Sequence, residues 1–362
     1  MKSLKLGIIT SALLYGALAI SGAEFSAKGK STEKIRLNGR IQAQFENLKT
    51  EDSAAADPAT VNHFMMRRIY LGAKGTLMSG VTGEINTQFS GSKGEASLNK
   101  ALITVKPHEG GKLSFGYTKL PVGYEETTSS SEIHTVERSI VTRYFHEQLD
   151  LGGRYLGIHY STGAGPLYLK GSITNNTQKS VSGNTGAEDN VFAVSGRAGI
   201  KGSTESFKYD AGVYGARFGD ETKASEDETI TFGAYADLSF GVFGLEAEVM
   251  SGNFDNGSTD SSPIGYHIMP SLKINDHFDI VARYAYLDGD SAKDIDISDT
   301  SRKAPDGSAE DYAEANSYYF GGNWYIDGHN LKVTAGYEMA EYQADAGDAD
   351  VSGFRARLQL LF

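Results

Sequence analysis

Apolar and polar residues alternate along this chain in segments of roughly ten residues, and the connections between segments alternate strictly between short and long. In KIRLNGRIQAQFE, Ile35, Leu37, Ile41, Ala43 and Phe45 share one face, with Arg36, Asn38, Arg40, Gln42 and Gln44 on the other. In the terminal FRARLQLLF, Phe354, Ala356, Leu358, Leu360 and Phe362 oppose Arg355, Arg357 and Gln359. The short connections are 77–80, 107–111, 162–165, 202–206, 241–242, 275–277 and 327–329. The long ones are 47–62, 90–96, 119–150, 175–191, 218–228, 252–262, 287–314 and 343–350. Soluble sandwiches, propellers and solenoids also show period two, but they do not explain connection lengths that alternate. The pattern predicts an all-β fold: a transmembrane, antiparallel, up-and-down β-barrel of about sixteen strands, with tight turns on one side and long loops on the other.

A closed barrel is the β-structure that lipid tolerates, because every backbone group is paired internally. A tilted strand crosses the bilayer in about ten residues, which is the length of most of these segments. With both termini on the short-turn side, the strand count is even. The apolar faces would meet lipid, and the polar faces would line a watery interior.

The N-terminus supports export. Lys2 and Lys5 precede an apolar stretch from Leu6 to Ile20, and Ser21 and Ala23 suit the −3 and −1 positions of a cleavage site. Residues 1–23 therefore read as a signal peptide, and 24–362 as one barrel domain destined for the outer membrane of a Gram-negative cell. Removing Lys2 and Lys5 with that segment takes the formal charge from −12 to −14. An acidic chain without a basic cluster argues against a nucleic-acid partner. The absence of cysteine excludes disulfides and thiolate metal sites.

Enzyme and cofactor signatures are missing. There is no HExxH pair, no GxSxG elbow and no P-loop, so no cofactor is expected. Asp288-Gly-Asp290 and Asp294-Ile-Asp296 space acids alternately but lack the glycine and distal glutamate of a complete calcium loop. They read as a solvated charge run that divalent ions could bridge to lipid and lipopolysaccharide phosphates. Two other function classes stay open: a membrane-embedded barrel hydrolase and a secreted all-β binding protein.

Period two assigns Arg36, Arg40, Arg68, Lys74, Lys100, Lys106, Lys170, Arg197, Lys201, Arg283, Arg355 and Arg357 to the interior. Lumenal acids would include Glu84, Asp210, Asp237, Glu246, Glu248 and Glu338. The wall thus carries more cations than acids although the whole chain is acidic. Arginine's fork of donors suits small anions such as phosphate or carboxylate. Aromatics at strand ends, as in Tyr144-Phe145, Tyr318-Tyr319 and Trp324-Tyr325, suggest interfacial girdles.

GRIQAQFE (39–46), FMMRRIYLGAKG (64–75), GKLSFGYTKLPVGYEETTSSSEIHTVERS (111–139), GGNWY (321–325), HNLKVTAGY and the terminal FRARLQLLF resemble the phosphate-selective porin O and P family. The similarity covers nearly the whole mature chain, and its most specific part is residues 119–139. The resemblance implies sixteen strands, a homotrimer, and passive diffusion of small anions or other hydrophilic solutes. It implies that the third extracellular loop, here 119–150, folds inward and narrows the pore. Lys119, Glu125, Glu126 and Arg138 stand in that motif, and Arg67 with Arg68 matches the family's paired arginines. The loop's own acids, Glu125, Glu126, Glu132 and Glu137, would oppose an anion. Phe362 resembles the signal read by the outer-membrane assembly machinery.

Overall fold

The computed structural model describes residues 24–25, 34–53, 57–90, 94–176, 191–219, 228–255, 260–290, 294–305, 312–345 and 347–362. The signal-peptide expectation for residues 1–23 and most of the acidic 219–229 run lie outside them.

Sixteen strands form one closed antiparallel barrel. They are β1 (Lys34–Asp52), β2 (Ala59–Met78), β3 (Val81–Ser90), β4 (Glu95–Val105), β5 (Lys112–Lys119), β6 (Arg154–Ala164), β7 (Leu167–Asn175), β8 (Phe192–Ser203), β9 (Phe207–Gly219), β10 (Glu228–Phe240), β11 (Phe243–Asp255), β12 (Ile264–Lys273), β13 (Phe278–Asp288), β14 (Glu314–Asp327), β15 (Leu331–Gln343) and β16 (Ala349–Leu361). Each strand pairs with its chain neighbours, and β16 closes on β1 from Ala349↔Asp52 to Leu361↔Arg40. Two short strand pieces, Glu24–Phe25 and Asp260–Ser261, extend the pairing of β1 and β11.

Period two survives as two faces. Ile85, Ile103, Phe115, Leu169, Val213, Phe232, Val249 and Met339 lie exposed on the outside. Gln42, Gln44, Ser172, Arg197, Arg283, Thr334 and Arg357 are buried on the inside. An apolar belt exposed around a polar interior is stable only if lipid covers it.

Two β-bulges alter the alternation. Gln42 pairs with Arg68 and Ala43 with Met66, so Arg67 is an extra residue in β2. Both Arg67 and Arg68 are buried as a result, although strict alternation would send one of them to lipid. In β4 the same device leaves Asn99 between Leu98 and Lys100.

The first long connection is shorter than the sequence suggests. Residues 47–50 and 59–62 continue the β1–β2 ladder, and Glu51 and Asp52 stay paired with β16, rather than forming a loop. Above the apolar belt the pattern inverts: Leu48 points in and is 2% exposed, while Asn47 and Glu51 face out. Ala285, Leu287, Ala315, Ala340, Tyr342, Ala349 and Val351 are likewise buried at the loop ends of their strands. Outside the bilayer a strand's outer face meets water, so the polar residues move there.

The inward apolar ends pack against two connections. Residues 120–153 contribute Leu120, Val122, Ile140, Val141, Tyr144, Phe145 and Leu151, and residues 294–305 contribute Ile295, Ile297 and Ala304. Tyr144 and Phe145 therefore sit in this cluster, not in a girdle. Trp324 is outward and stacks on Phe278 at 5.9 Å, and Tyr318 packs against Tyr284 at 5.2 Å, but Tyr319 is buried and Tyr325 donates to Asp279. The terminal Phe362 pairs with Gly39 through reciprocal backbone bonds of 2.7 and 3.1 Å. A Cβ on Gly39 would fall 2.3 Å from the Phe362 ring, so the seat for this ring requires glycine.

Candidate functional site

The connection between β5 and β6 is the third on the long-loop side, and short-range chemistry shapes it. Helix α1 (Tyr124–Thr127) follows Pro121 and Gly123, and helix α2 (Ile140–Arg143) starts at Ser139, whose Oγ accepts from the Thr142 amide at 3.1 Å. A π-helical turn, Tyr144–Gln148, continues α2. Gly123 and Gly152 leave room for the His146 ring; a Cβ on Gly152 would come 1.6 Å from its Nδ1.

Inward-facing side chains of the barrel hold this connection through its carbonyls. Arg197 donates to Pro121 and Gly123 at 3.0 and 2.7 Å. Lys332 donates to Ile133 at 3.0 Å, Asn323 to His134 at 2.8 Å, and Gln42 to Ser130 at 3.0 Å. Glu248 of β11 accepts from the amides of Tyr124 and Glu125 at 2.5 and 3.0 Å. Anchors from β1, β8, β11, β14 and β15 thus converge on one segment.

Glu137 is the densest node. It accepts from Arg67 at 2.6 and 3.1 Å, Arg143 at 2.5 Å, Arg357 at 2.7 Å and Gln44 at 3.1 Å. Burial opposes its ionisation, but Arg67, Arg357 and Arg143 hold the carboxyl well below the usual range. Glu125 accepts from Ser139 and, at 3.3 Å, from Arg283. Burial again opposes, and the His267 and Arg283 charges prevail to lower its pKa. Arg283 continues to Glu338 at 2.9 Å, and Arg355 joins Glu338 at 2.6 Å to Glu46 at 3.2 Å. Buried charges are tolerated here because each is paired and hydrogen-bonded.

Three adjoining cavities run beside the anchored segment, along the β1–β7 wall. The outermost, about 370 Å3, is lined by Glu126, His146, Glu147, Arg154, Asp299 and Arg302. It shares Glu126, Glu147, Arg154 and Arg302 with a middle cavity of about 520 Å3. There Arg40, Arg67, Arg68, Lys100, Lys119, Arg138, Arg154 and Arg302 face Glu84, Glu126 and Glu147. The third, about 610 Å3, shares Glu84, Lys100, Lys119 and Thr127 with the middle one and ends near the short turns. Lys74, Lys100, Lys106, Lys112, Lys119 and Lys170 line it, with Glu84 as the acid. Across the barrel, a fourth cavity of about 530 Å3 opens among the short turns and carries Asp237, Glu246 and Asp279.

The pairing inside the middle cavity is uneven. Lys119 bonds Glu126 at 2.6 Å, and Arg138 reaches the same carboxylate at 3.4 Å. Arg138 also donates to the carbonyls of Glu125 and Thr128, each at 2.9 Å. Arg40 donates to the Ser129, Ser130 and Ser131 hydroxyls at 2.6–3.1 Å and lies over the Tyr70 ring. Arg68 donates to Gln42 at 3.1 Å. Among the described residues, Arg40, Arg68 and Arg154 have no carboxylate ion-pair partner.

Of the residues expected from sequence, the structure brings Arg40, Arg67, Arg68, Lys74, Lys119, Glu126 and Arg138 to these cavities. Arg283, Arg355 and Arg357 are 3–4% exposed and line none of them; with Glu125 they fasten the connection to the wall. Arg36 lies exposed near the short-turn end, opposite Lys74 in the β1–β2 ladder. Arg143, Glu147 and Arg302 escaped the sequence reading because they sit outside regular alternation, and Arg154 because it opens β6 just past the expected loop 119–150. An Arg-x-x-x-Glu spacing, 143 to 147, was the one available signal for a helical ion pair; it closes at 2.6 Å.

The geometry bears on hydrolytic chemistry and on metals. Ser139 Oγ lies 3.2 Å from His267 Nδ1, and His267 Nε2 lies 3.3 Å from Glu246. Ser139 is fully buried, and its hydroxyl is committed to Glu125 and to capping α2. The hydroxyl is closed off from solvent. Asp296 accepts from the Ser298 and Asp299 amides as a helix cap, and no group of three or more potential metal ligands occurs among the described residues.

Comparison with solved structures finds outer-membrane proteins of the same fold, porins among them. An anion-selective porin from Comamonas acidovorans superposes with a TM-score of 0.64 at 13% identity, covering 90% of this chain and 99% of that one. The outer membrane channel DcaP of Acinetobacter baumannii gives 0.61 at 14% identity, covering 93% and 100%. OmpT, an outer membrane protein of Vibrio cholerae, gives 0.53 at 12% identity in its trimer form, covering 91% and 99%. At such identities these likenesses establish the fold. Comparison with curated protein sequences finds no match. The model of the family "phosphate-selective porin O and P" matches residues 35–362, nearly the whole barrel. This chain is a member of the phosphate-selective porin O and P family, a passive channel of the outer membrane.

Proposed function

We propose that this porin prefers small anions and that residues 120–153 form its constriction, confining the path to the β1–β7 side of the lumen. The observation that carries this reading is the excess of cations over acids along the middle and inner of the three adjoining cavities. Low-dielectric walls focus such charge onto passing ions. Phosphate and carboxylate solutes match the arginine forks of Arg40, Arg68 and Arg138. Transport follows the gradient with no catalytic turnover. Residues 1–23 direct export, Phe362 presents the chain to the assembly machinery, lipid and lipopolysaccharide cover the belt, and three copies assemble, as in the trimer form of OmpT.

The test is the reversal potential of purified channels in planar bilayers under a KCl gradient. The parent is expected to favour chloride, and R68Q and R138Q each to shift the potential toward the cation value. An unchanged potential in both variants would reject the assignment.

A further inference from the structure

We infer that Arg302, on the connection between β13 and β14, is the outer selectivity residue of this channel, a specificity determinant separate from the constriction. This rests on the anion-channel reading above.

The segment carrying Arg302 is built to present it. Helix α3 (Ile297–Thr300) is capped by Asp296 and followed by Arg302 and Lys303, both with positive φ, 43° and 56°. Two consecutive non-glycine residues in the left-handed region are strained and persist only where surroundings enforce them. The surroundings do so here. Arg355 of the wall donates to the carbonyls of Ser301 and Arg302 at 2.5 and 3.0 Å. Gln148 donates to the Asp294 carbonyl at 2.6 Å and accepts from the Asp296 amide at 3.0 Å. The strained backbone turns Arg302 into the wall shared by the outer and middle cavities.

There Arg302 meets Glu147, which also bonds Arg143 at 2.6 Å. One carboxylate thus serves two guanidiniums, and Arg154 lies on the same stretch of wall. Asp299, Glu126, His146 and Tyr117 complete the ionisable lining, and Glu126 is already held by Lys119 and Arg138. An anion entering from the loop side meets Arg302 and Arg154 before it reaches Arg40, Arg68 or Arg138. Glu147 competes with that anion for Arg302.

A charge at one mouth acts over distance, so its effect depends on salt and on the side of entry. The Debye length is about 30 Å at ~10 mM salt and about 3 Å at ~1 M. Coulomb attraction across ~10 Å of water predicts an effect of about two-fold on anion current. The experiment compares parent, R302Q, R302K, E147Q and R68Q trimers in planar bilayers at both salt levels. Expected at ~10 mM KCl is a rectified current in the parent, loss of about half of the inward-directed anion current in R302Q, its retention in R302K, and an increase in E147Q. All four mouth curves are expected to merge at ~1 M, while R68Q stays shifted. An R302Q curve equal to the parent at low salt, or altered equally at both salts, overturns the inference. So does E147Q changing in the same direction as R302Q, which would mark simple loosening of the loop. If R68Q is silent as well, the underlying anion reading fails first.

Discussion

Glu137→Gln removes one charge while keeping the shape of the most heavily shared carboxylate in the barrel. Arg67, Arg143 and Arg357 all donate to it. Turning the charge-assisted bonds from three guanidiniums into bonds to a neutral amide costs about 1 kcal/mol per guanidinium. The new NH2 group faces guanidinium donors and leaves at least one of them unsatisfied, adding about 1–3 kcal/mol. The total of roughly 4–6 kcal/mol overlaps the usual penalty for breaking a buried ion pair, about 3–5 kcal/mol. Denaturant unfolding in lipid vesicles measures it, read by the single tryptophan, Trp324, which lies on the outer surface. The pH dependence supplies a second check. The carboxyl's folded pKa is depressed, so its stabilisation is complete above the ordinary carboxylate range and is lost as pH falls toward the folded value. E137Q is expected to flatten that acid limb. A loss below about 1 kcal/mol together with an unchanged acid limb would refute the view of Glu137 as the node that fastens the connection.

Gly39→Ala is expected to unseat the Phe362 ring and slow barrel insertion; heat-modifiable gel mobility during refolding reads this, and parent-like kinetics would contradict the seat. Burial, reinforced by Lys119 and Arg138 and opposed by Glu126, holds the His146 imidazole down at about 4. Its folded pKa lies below the unfolded value, so its contribution is intact at neutral pH and fades as pH falls through about 4, the same direction as Glu125 and Glu137. Open-channel noise is expected to rise below that pH, and a quiet channel at about pH 3 would count against it. Deleting Arg67 removes the β2 bulge yet leaves Met66 outward and Arg68 inward, so assembly is expected to persist with a stability loss of about 2–4 kcal/mol from the missing anchor. Failure to form any barrel would show that the bulge is needed for closure.

The barrel was legible because lipid imposes one rule on every strand: apolar side chains outward, all backbone groups paired. Arg355 and Arg357 point inward as their alternation with Phe354, Ala356 and Leu358 demands. The rule lapses where lipid stops. Leu48 faces in and Glu51 out because water bathes the outer face there, so residues 47–52 look like a loop in sequence and are a strand in space. Bulges hide in the same way, since Arg67-Arg68 carries no local mark of the extra residue. Direction could be read for Arg283 and Arg357 but occupancy could not, because that depends on where residues 120–153 come to rest. Arg302 was out of reach for a similar reason: its place depends on a distant contact with Arg355.

The shared carboxylate at position 137 also constrains how this channel could evolve a wider bore. Trimming the connection would strip Arg67 and Arg357 of their counterion in one step and leave Arg283 with Glu338 alone. The enlarged passage would inherit two bare guanidiniums and with them a stronger pull on anions. Bore and charge preference are therefore coupled traits, and a lineage that shortens this loop must also replace wall arginines if it is to admit neutral or cationic solutes.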